Sequence, residues 1–328
     1  MSPPDPGRAG EAANGARVRD DLAGIVESLI GEADGLSRVR ILLRRMLCRR
    51  ISVMTTENIR ENLHRSLPYG LRNVVGELEL RGAILVSAEQ VAAYARAPAG
   101  SAAAYDVIRR LVAARWLRPL PVKGHYEFLP VAAGPFSRED TLDPLRAMFA
   151  DSDVPGQMVL SGAAFLRGFA SRAPMQFDVL LPRSKSVSAS LRSRYRFHWV
   201  TYYRIFGAEL LDGVPVSTRE RLLVDVALWP DAVGGALRDR EHWVGRALEG
   251  TATTTVVEML RRLGSTTATA RAGYLAHAFG REDLASAIAE LGRSRVMVPL
   301  LPRTEPTPAA RRDKRFNVDD PIGAATAA

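Results

Sequence analysis

Residues 101–130, SAAAYDVIRRLVAARWLRPLPVKGHYEFLP, decide the fold of the amino-terminal half. Ser101 is placed to cap an amphipathic helix whose apolar face carries Ala104, Val107, Ile108, Leu111 and Val112. Two short extended runs follow, residues 117–122 and 125–129, joined across Lys123-Gly124. Glycine supplies the positive φ that a two-residue hairpin turn needs. A basic helix followed at once by a basic-tipped hairpin is typical of a winged helix, a variant of the helix-turn-helix.

The residues before this stretch complete the pattern. Apolar spacing predicts a first helix that ends at Gly82. A short extended run at 83–86 and a second helix capped by Ser87 come next, before a turn at 97–100. The order helix, strand, helix, helix, hairpin is that of a winged helix. The sequence therefore predicts a winged-helix DNA-binding domain over residues 68–130.

The candidate DNA contacts are Ser101, Tyr105, Arg109, Arg110, Lys123, Gly124 and His125. We expect the helix to enter the major groove, where an arginine can present two donors to guanine, and the wing-tip lysine to contact phosphate. His125 is expected to assist, and Gly124 to serve turn geometry. Residues 96–130 hold six basic and two acidic residues, a net charge of +4 that suits an anionic partner. The alternatives are that Arg109 and Arg110 are only solvated helix positions and that Tyr105 packs against the second helix.

The composition is that of a globular protein long enough for two domains. The 328 residues are 47% hydrophobic and 25% charged, and the formal net charge is +9. This charge is only weak evidence for an anionic partner, because genomes of high GC content encode many arginines and make many proteins basic. The single cysteine, Cys48, excludes an internal disulfide and a cysteine-based zinc site within one chain. No apolar run approaches the roughly 20 residues of a membrane span, so we expect a cytoplasmic protein with no membrane partner.

The remaining residues divide into four further segments. Residues 1–17 are predicted to be a disordered lead-in because they are rich in Pro, Gly and Ala. Residues 18–60 are predicted to be a helical, Arg-rich extension, which could bind phosphates, lie on a membrane or simply be solvated. Alternatively, translation starts at Met54. A mixed α/β domain is predicted over residues 137–302, followed by a flexible tail over residues 303–328.

Strands interleaved with helices indicate the class of the second domain. Residues 177–182, FDVLLP, and residues 195–203 are predicted strands, with a Ser-rich loop at 185–193 between them. Residues 159–169 are predicted to be a helix, and residues 217–220, STRE, form a capping box that opens another. The predicted fold class is therefore α+β: a winged helix-turn-helix domain, then a mixed α/β domain, preceded by the helical extension.

The motifs of common enzymes are absent from the sequence. Neither a glycine-rich phosphate loop nor a nucleophile elbow occurs. The five histidines are scattered without the spacing of metal ligands. Asp178 has no acidic neighbour in its strand, and Asp225 is expected to be structural or exposed rather than catalytic. The sequence therefore predicts a protein that is not an enzyme and needs no cofactor or metal.

Several phrases carry a resemblance to a known family. They are WL (116–117), LPVKGHYEFLP (120–130), DPL (143–145), SGAAFLRGF (161–169), FDVLLP (177–182) and PVSTRERLLVDVALWP (215–230), followed by Gly234-Gly235. Together they resemble the AbiEi-type antitoxins of type IV-like toxin–antitoxin systems, including the mycobacterial MenA-type members. The similarity covers about residues 68–235.

The resemblance implies a function for each half. The winged helix is expected to bind promoter repeats in double-stranded DNA and to repress its own operon. The second domain is expected to counteract a cognate nucleotidyltransferase toxin, either by binding it or through the targets or the modification of the toxin. The carboxylate pair of a nucleotidyltransferase is absent here, which agrees with an antitoxin rather than a toxin.

Two other functions stay open from the residues alone. One is a winged-helix transcriptional regulator whose second domain senses a small ligand. The other is an interaction protein whose winged helix contacts protein instead of DNA.

Overall fold

The computed structural model describes residues 67, 69–132, 140–150, 155–302 and 304–324. The predicted lead-in and the Arg-rich extension with Met54 lie outside these residues. Within them the fold is α+β, as the sequence predicts. Two separate hydrophobic clusters form, one from residues 71–128 and one from residues 142–324.

Three helices and a three-stranded sheet form the amino-terminal unit. In chain order they are α1 (Arg72–Leu80), β1 (Leu85–Ser87), α2 (Ala88–Tyr94), α3 (Ala102–Ala113), β2 (Leu117–Pro119) and β3 (His125–Phe128). Strand β3 is central and pairs antiparallel with both β1 and β2. This is the element order that the apolar spacing predicts.

Buried side chains from all three helices meet the sheet in one core. Val74, Leu78, Val91, Ile108 and Leu111 belong to it. The stacked rings of Trp116 and Phe128, with centroids 6.4 Å apart, close the core at the hairpin. Ser87 begins α2 with a capping box: its hydroxyl accepts the Gln90 N–H, and the Gln90 side chain accepts the Ser87 N–H. The predicted cap is therefore confirmed.

The hairpin between β2 and β3 turns at Lys123-Gly124, as predicted, but its strand pairing stops earlier than the predicted strands do. Its last ladder bond runs from the Leu120 N–H to the His125 carbonyl at 3.0 Å, which leaves residues 121–124 as the loop. The His125 N–H donates instead to the Val122 carbonyl at 3.2 Å, which closes the turn over Lys123 and Gly124. Gly124 has a φ of 78° and supplies the positive φ that the turn needs.

A five-stranded mixed sheet forms the centre of the second unit. The strands are β4 (Gln157–Val159), β5 (Phe177–Pro182), β6 (Tyr195–Val200), β7 (Ala208–Leu211) and β8 (Val214–Ser217). Their spatial order is β6-β5-β4-β8-β7, so β6 and β7 are the edge strands. Strand β5 is parallel to β6 and antiparallel to β4, and β8 is parallel to β4 and antiparallel to β7.

Eight α-helices of the described residues surround this sheet or extend from it. They are α4 (Asp143–Ala150), α5 (Leu160–Leu166), α6 (Ala189–Arg194), α7 (Arg219–Leu228), α8 (Trp243–Glu249), α9 (Thr253–Leu263), α10 (Thr266–Ala278) and α11 (Glu282–Ala289). Short 3-10 helices cover Tyr202–Arg204, Pro230–Ala232 and Gly234–Arg238. None of the helices in the described residues combines the length and the apolar composition that a membrane span requires.

The elements of the second unit agree with the prediction in part. The predicted strand at 177–182 is confirmed as β5. The predicted strand at 195–203 is confirmed only over residues 195–200, as β6, because a 3-10 helix follows at Tyr202–Arg204. The predicted helix at 159–169 is partly wrong, because residues 157–159 pair as β4 before the helix begins. The predicted loop at 185–193 is also partly wrong: the Ser188 hydroxyl accepts the Leu191 N–H at 3.3 Å and caps α6.

Residues 304–324 fold onto the second unit, whereas a flexible tail was predicted over residues 303–328. Strands β9 (Val298–Pro299), β10 (Arg311–Asp313) and β11 (Val318–Asp320) form a small sheet with β11 in the middle. The buried Asp320 carboxylate accepts the N–H groups of Ile322, Gly323 and Ala324. These hydrogen bonds fix a segment that looks mobile in sequence because its residues are mostly polar.

Helix α10 has a close contact with this segment. A Cβ added at Gly273 would lie 2.2 Å from the Phe316 ring, so only glycine lets the ring sit against the helix. Phe316 is buried with Val318 and Ile322 in the main core.

The loop between β2 and β3 lies against the second unit. The Ser188 hydroxyl donates to the Pro121 carbonyl at 3.2 Å. Val122 packs against the large hydrophobic cluster. The two units therefore share a contact at the tip of the hairpin.

Candidate functional site

Helix α3 has one buried and one exposed face. Ala104, Ile108 and Leu111 are buried. Ser101 caps the helix, since its hydroxyl accepts the Ala104 N–H at 3.2 Å. Tyr105 is 63% exposed, so its ring is mainly in solvent and is not packed away against α2. Ser101 thus sets where the helix begins, and Tyr105 is available at its surface.

The two arginines of α3 have different surroundings. The Arg109 side chain is 80% exposed, and its Nη2 lies 2.6 Å from the Asp106 carboxylate. The Arg110 side chain is 40% exposed, and its Nη2 donates to the Tyr69 carbonyl at 2.7 Å. These partners belong to the amino-terminal unit itself, so these contacts leave both guanidinium groups on its outer surface.

The residues at the tip of the hairpin also divide by exposure. Lys123 is exposed at the turn. His125 is only 9% exposed, and its Nδ1 lies 3.1 Å from the Lys123 carbonyl. The His125 ring therefore lies inside the unit, beside the turn, while the Lys123 ammonium points to solvent. We call Tyr105, Arg109, Arg110 and Lys123 the α3–wing surface.

The positive charge of the unit is partly balanced within it. Arg118 and Glu127 are register partners in β2 and β3, and the Arg118 Nε donates to the Glu127 carboxylate at 2.8 Å. The Glu127 side chain is only 6% exposed. A buried carboxylate needs such a partner, so Arg118 stabilises the hairpin. Because its charge is balanced by Glu127, Arg118 adds little to the positive electrostatic potential outside the unit.

A chain of buried polar groups crosses the second unit. The Gln157 amide donates to the Ser217 hydroxyl at 2.8 Å, and that hydroxyl donates to the Asp225 carboxylate at 2.7 Å. The Arg221 Nε donates to the other Asp225 oxygen at 2.8 Å, and both side chains are fully buried. Burial raises the pKa of Asp225, against the attraction of Arg221. The network links β4, β8 and α7 and is structural in character, which agrees with the prediction for Asp225.

A second polar cluster surrounds Asp178 on β5. His198 Nε2 lies 2.8 Å from one carboxylate oxygen of Asp178, and the Ser161 hydroxyl lies 3.4 Å from the other. Arg196 lies 3.6 Å from the first oxygen. In a serine–histidine–aspartate triad the histidine stands between the other two groups, whereas here the aspartate does. This cluster is therefore not a catalytic triad.

The buried network was not predicted from the sequence, although one local signal of it is present. Arg221 and Asp225 are four residues apart in a predicted helix, the spacing at which side chains meet. Nothing local indicates Gln157, which is 60 residues from Ser217. In the part of the chain that the structure describes, no group of three or more His, Cys, Asp or Glu side chains is arranged to hold a metal ion.

Comparison with known protein families identifies part of the second unit. Residues 157–278 match the sequence model of the AbiEi antitoxin C-terminal domain. The resemblance to AbiEi-type antitoxins is thereby confirmed for this segment, which includes both polar clusters. No curated protein matches the sequence.

The fold is shared with a solved structure. The crystal structure of the RV2827C protein from Mycobacterium tuberculosis superposes with a TM-score of 0.65 at 22% sequence identity. The match covers 79% of this chain and 94% of that chain. It therefore extends beyond the AbiEi segment and shows a common fold.

Proposed function

We propose that this protein is the antitoxin and DNA-binding autorepressor of a toxin–antitoxin operon, and that it counteracts a nucleotidyltransferase toxin. The AbiEi antitoxin C-terminal domain matched at residues 157–278 carries this proposal. Its core is built from a mixed sheet and a buried polar network, and the groups around Asp178 do not have the order of a hydrolase triad. A binding role suits this domain better than catalysis.

The amino-terminal unit supports the DNA-binding part of the proposal. Its elements follow the order of a winged helix, with α3 in the position of the recognition helix and the loop before β3 as the wing. The α3–wing surface offers Arg109 and Arg110 for bases or phosphates and Lys123 for phosphate. Tyr105 lies on the same exposed side of the helix.

Binding to the promoter of its own gene tests this part. The full chain is titrated against the labelled promoter duplex and against an unrelated duplex of equal length, in the same salt. We expect the promoter to bind at least about a thousandfold more tightly, the lower range for specific recognition. Equal affinity for both duplexes would contradict autorepression by specific binding.

Growth during co-expression tests the antitoxin part. The neighbouring gene is expressed alone, with this chain, and with the Arg109→Ala/Arg110→Ala variant. We expect the chain to restore growth, and the variant to restore it equally, because neutralisation is assigned to the second unit. Growth that stays arrested with the wild-type chain would contradict an antitoxin role toward that gene.

A further inference from the structure

One segment of the second unit is unusually basic. Residues 179–208 contain no aspartate or glutamate but hold six cations: Arg183, Lys185, Arg192, Arg194, Arg196 and Arg204. The whole chain has 36 acidic residues, so their absence over this segment concentrates positive charge in one place. A patch of this kind attracts an anionic partner.

The fold places this segment at an edge of the main sheet. Strand β6 is the last strand on its side and pairs, among the described strands, with β5 alone. Large aromatic side chains stand exposed at its carboxyl end: Trp199 is 37% exposed, Tyr202 67% and Tyr203 58%. Three exposed aromatic rings within five residues are uncommon on a surface that has no binding role.

Strand β6 also forms one side of an open groove. Its lining includes Arg192, Arg196, Phe197 and Trp199. The rings of Tyr195, Phe197 and Trp199 contact one another in series, with centroids 6.2 and 5.9 Å apart. These alternate positions share one face of the strand, and Trp199 is the solvent-exposed end of the series. We call Arg192, Arg196, Trp199, Tyr202 and Tyr203 the β6 surface.

We propose that the β6 surface binds single-stranded nucleic acid. Unpaired bases stack on the exposed aromatic rings, and the arginines contact the phosphates beside them. Arg196 is suited to this, since half of its side chain is exposed while its guanidinium pairs with the Asp178 carboxylate at 3.6 Å. Stacking needs bases that are not paired, so a duplex cannot use these rings. The site uses none of the residues of the α3–wing surface and does not depend on the function proposed for it.

Binding of matched single strands tests the proposal. The full chain is titrated with labelled RNA and DNA single strands of one sequence, about 20 nucleotides long and so longer than common site sizes, and with the corresponding duplex. The Trp199→Ala/Tyr202→Ala/Tyr203→Ala variant should bind single strands at least tenfold more weakly and the duplex unchanged. The ratio of RNA to DNA affinity identifies which strand the surface prefers.

Two control variants isolate the surface. Leu210→Ala removes an exposed apolar side chain from β7, the opposite edge strand, and should leave single-strand affinity unchanged. Arg109→Ala/Arg110→Ala should lower duplex binding while single-strand binding is retained. This pair of results separates failure of the single-strand site from failure of the winged-helix interface.

Fluorescence gives a second readout that does not depend on affinity alone. Trp116 and Trp243 are each 5% exposed and Trp229 is half-buried against His198, whereas Trp199 is 37% exposed and lies in the groove. Single strands should quench the emission of the wild type, and Trp199→Phe should lose most of this quenching while retaining binding. Unchanged single-strand affinity in the triple variant would overturn the proposal, as would binding to anionic phospholipid vesicles but not to either single strand.

Discussion

The Asp106 carboxylate accepts a 2.6 Å hydrogen bond from Nη2 of Arg109, less than one helical turn further along α3. Arg110 Nη1 lies 4.0 Å from the same carboxylate. The hydrogen bond from Arg109 and the charges of both arginines hold the pKa of Asp106 below its usual value. The carboxylate is therefore ionised near neutral pH and occupies donors that a phosphate or guanine would need.

The substitution Asp106→Asn should raise the affinity for duplex DNA. The substitution removes a negative charge from the α3–wing surface and frees Arg109, so we expect an affinity gain of roughly threefold to tenfold near 0.1 M salt. Gel-shift titration measures it, with Glu290→Gln at the exposed end of α11 as the matched change of charge elsewhere. Weaker binding in Asp106→Asn would show instead that the carboxylate positions Arg109 for its contact.

Arg109→Ala should weaken duplex binding more than Arg110→Ala does. Arg109 is the more exposed of the two, whereas Arg110 holds the Tyr69 carbonyl at 2.7 Å before α1 begins. A lost base contact is worth about 1–3 kcal/mol of binding free energy. Arg110→Ala should instead lower the thermal stability, and the pair together should lose most specific binding. Titration and thermal unfolding of the same samples separate these effects, and the reverse order of affinities would contradict the assignment.

Lys123→Ala should change the salt dependence of duplex binding. One phosphate contact releases about one counterion, so the slope of log affinity against log salt should fall by about one. The change should be the same for promoter and unrelated duplexes, because a phosphate contact carries no sequence information. Lys314→Ala, an exposed lysine between β10 and β11, is the control. An identical slope in wild type and Lys123→Ala would remove this residue from the interface.

Asp225→Ala should strongly destabilise the second unit. The change leaves the fully buried Arg221 guanidinium without its anionic partner and the Ser217 hydroxyl without its acceptor. Breaking a buried pair from one side costs about 3–5 kcal/mol in the free energy of unfolding. Chemical denaturation measures the loss.

The double variant Arg221→Met/Asp225→Leu provides the comparison for this pair. It removes both charges at similar volume, so its loss of unfolding free energy should be clearly smaller than that of Asp225→Ala. Equal losses would mean that packing, and not an uncompensated charge, dominates at this position.

His242 should make stability fall in mild acid. Burial is the main reason that the pKa of this imidazole lies below its ordinary value of about 6.5. The unfolded chain then takes up a proton as the pH falls below about 6.5, before the folded protein does. Stability is therefore fully present above that pH and decreases as the pH falls toward the lower, folded pKa.

His242→Asn should remove this part of the pH dependence. His242 also precedes α8 without making a capping bond from its side chain, and asparagine is a good residue at that position. We expect the variant to be more stable by roughly 0.5–1 kcal/mol and to show a flatter profile between pH 5 and pH 7 in thermal unfolding. A profile as steep as that of the wild type would assign the acid sensitivity to other groups.

The amino-terminal unit was predictable because its signals are local. Ser87 and Ser101 cap their helices as their positions indicate, and Gly124 has the positive φ that a turn requires. The early end of the strand pairing was not predicted, since the His125 N–H bonds to the Val122 carbonyl of the turn instead of returning to Leu120. Apolar spacing and caps act over a few residues, so they can be recognised without knowing the rest of the fold.

Features that depend on distant partners were not predictable. Strand β4 has only three residues and gains its hydrogen bonds from β5 and β8, so its sequence looks like the start of the following helix. Glu127 neutralises Arg118 only because of the strand register. Of the seven candidate contacts, Tyr105, Arg109, Arg110 and Lys123 lie on the exposed surface. His125 is buried, and its burial could not be predicted because it depends on the fold and not on its neighbours in sequence.

The seating of Phe316 on Gly273 bears on where this protein can be divided. The segment that matches the family model ends at residue 278, where helix α10 also ends. The ring of Phe316, about forty residues later in the chain, covers this helix at Gly273. A fragment trimmed to the family segment would present an open hollow over Gly273 and would be expected to aggregate. Any fragment that is to keep this helix covered must therefore retain the chain through residue 324.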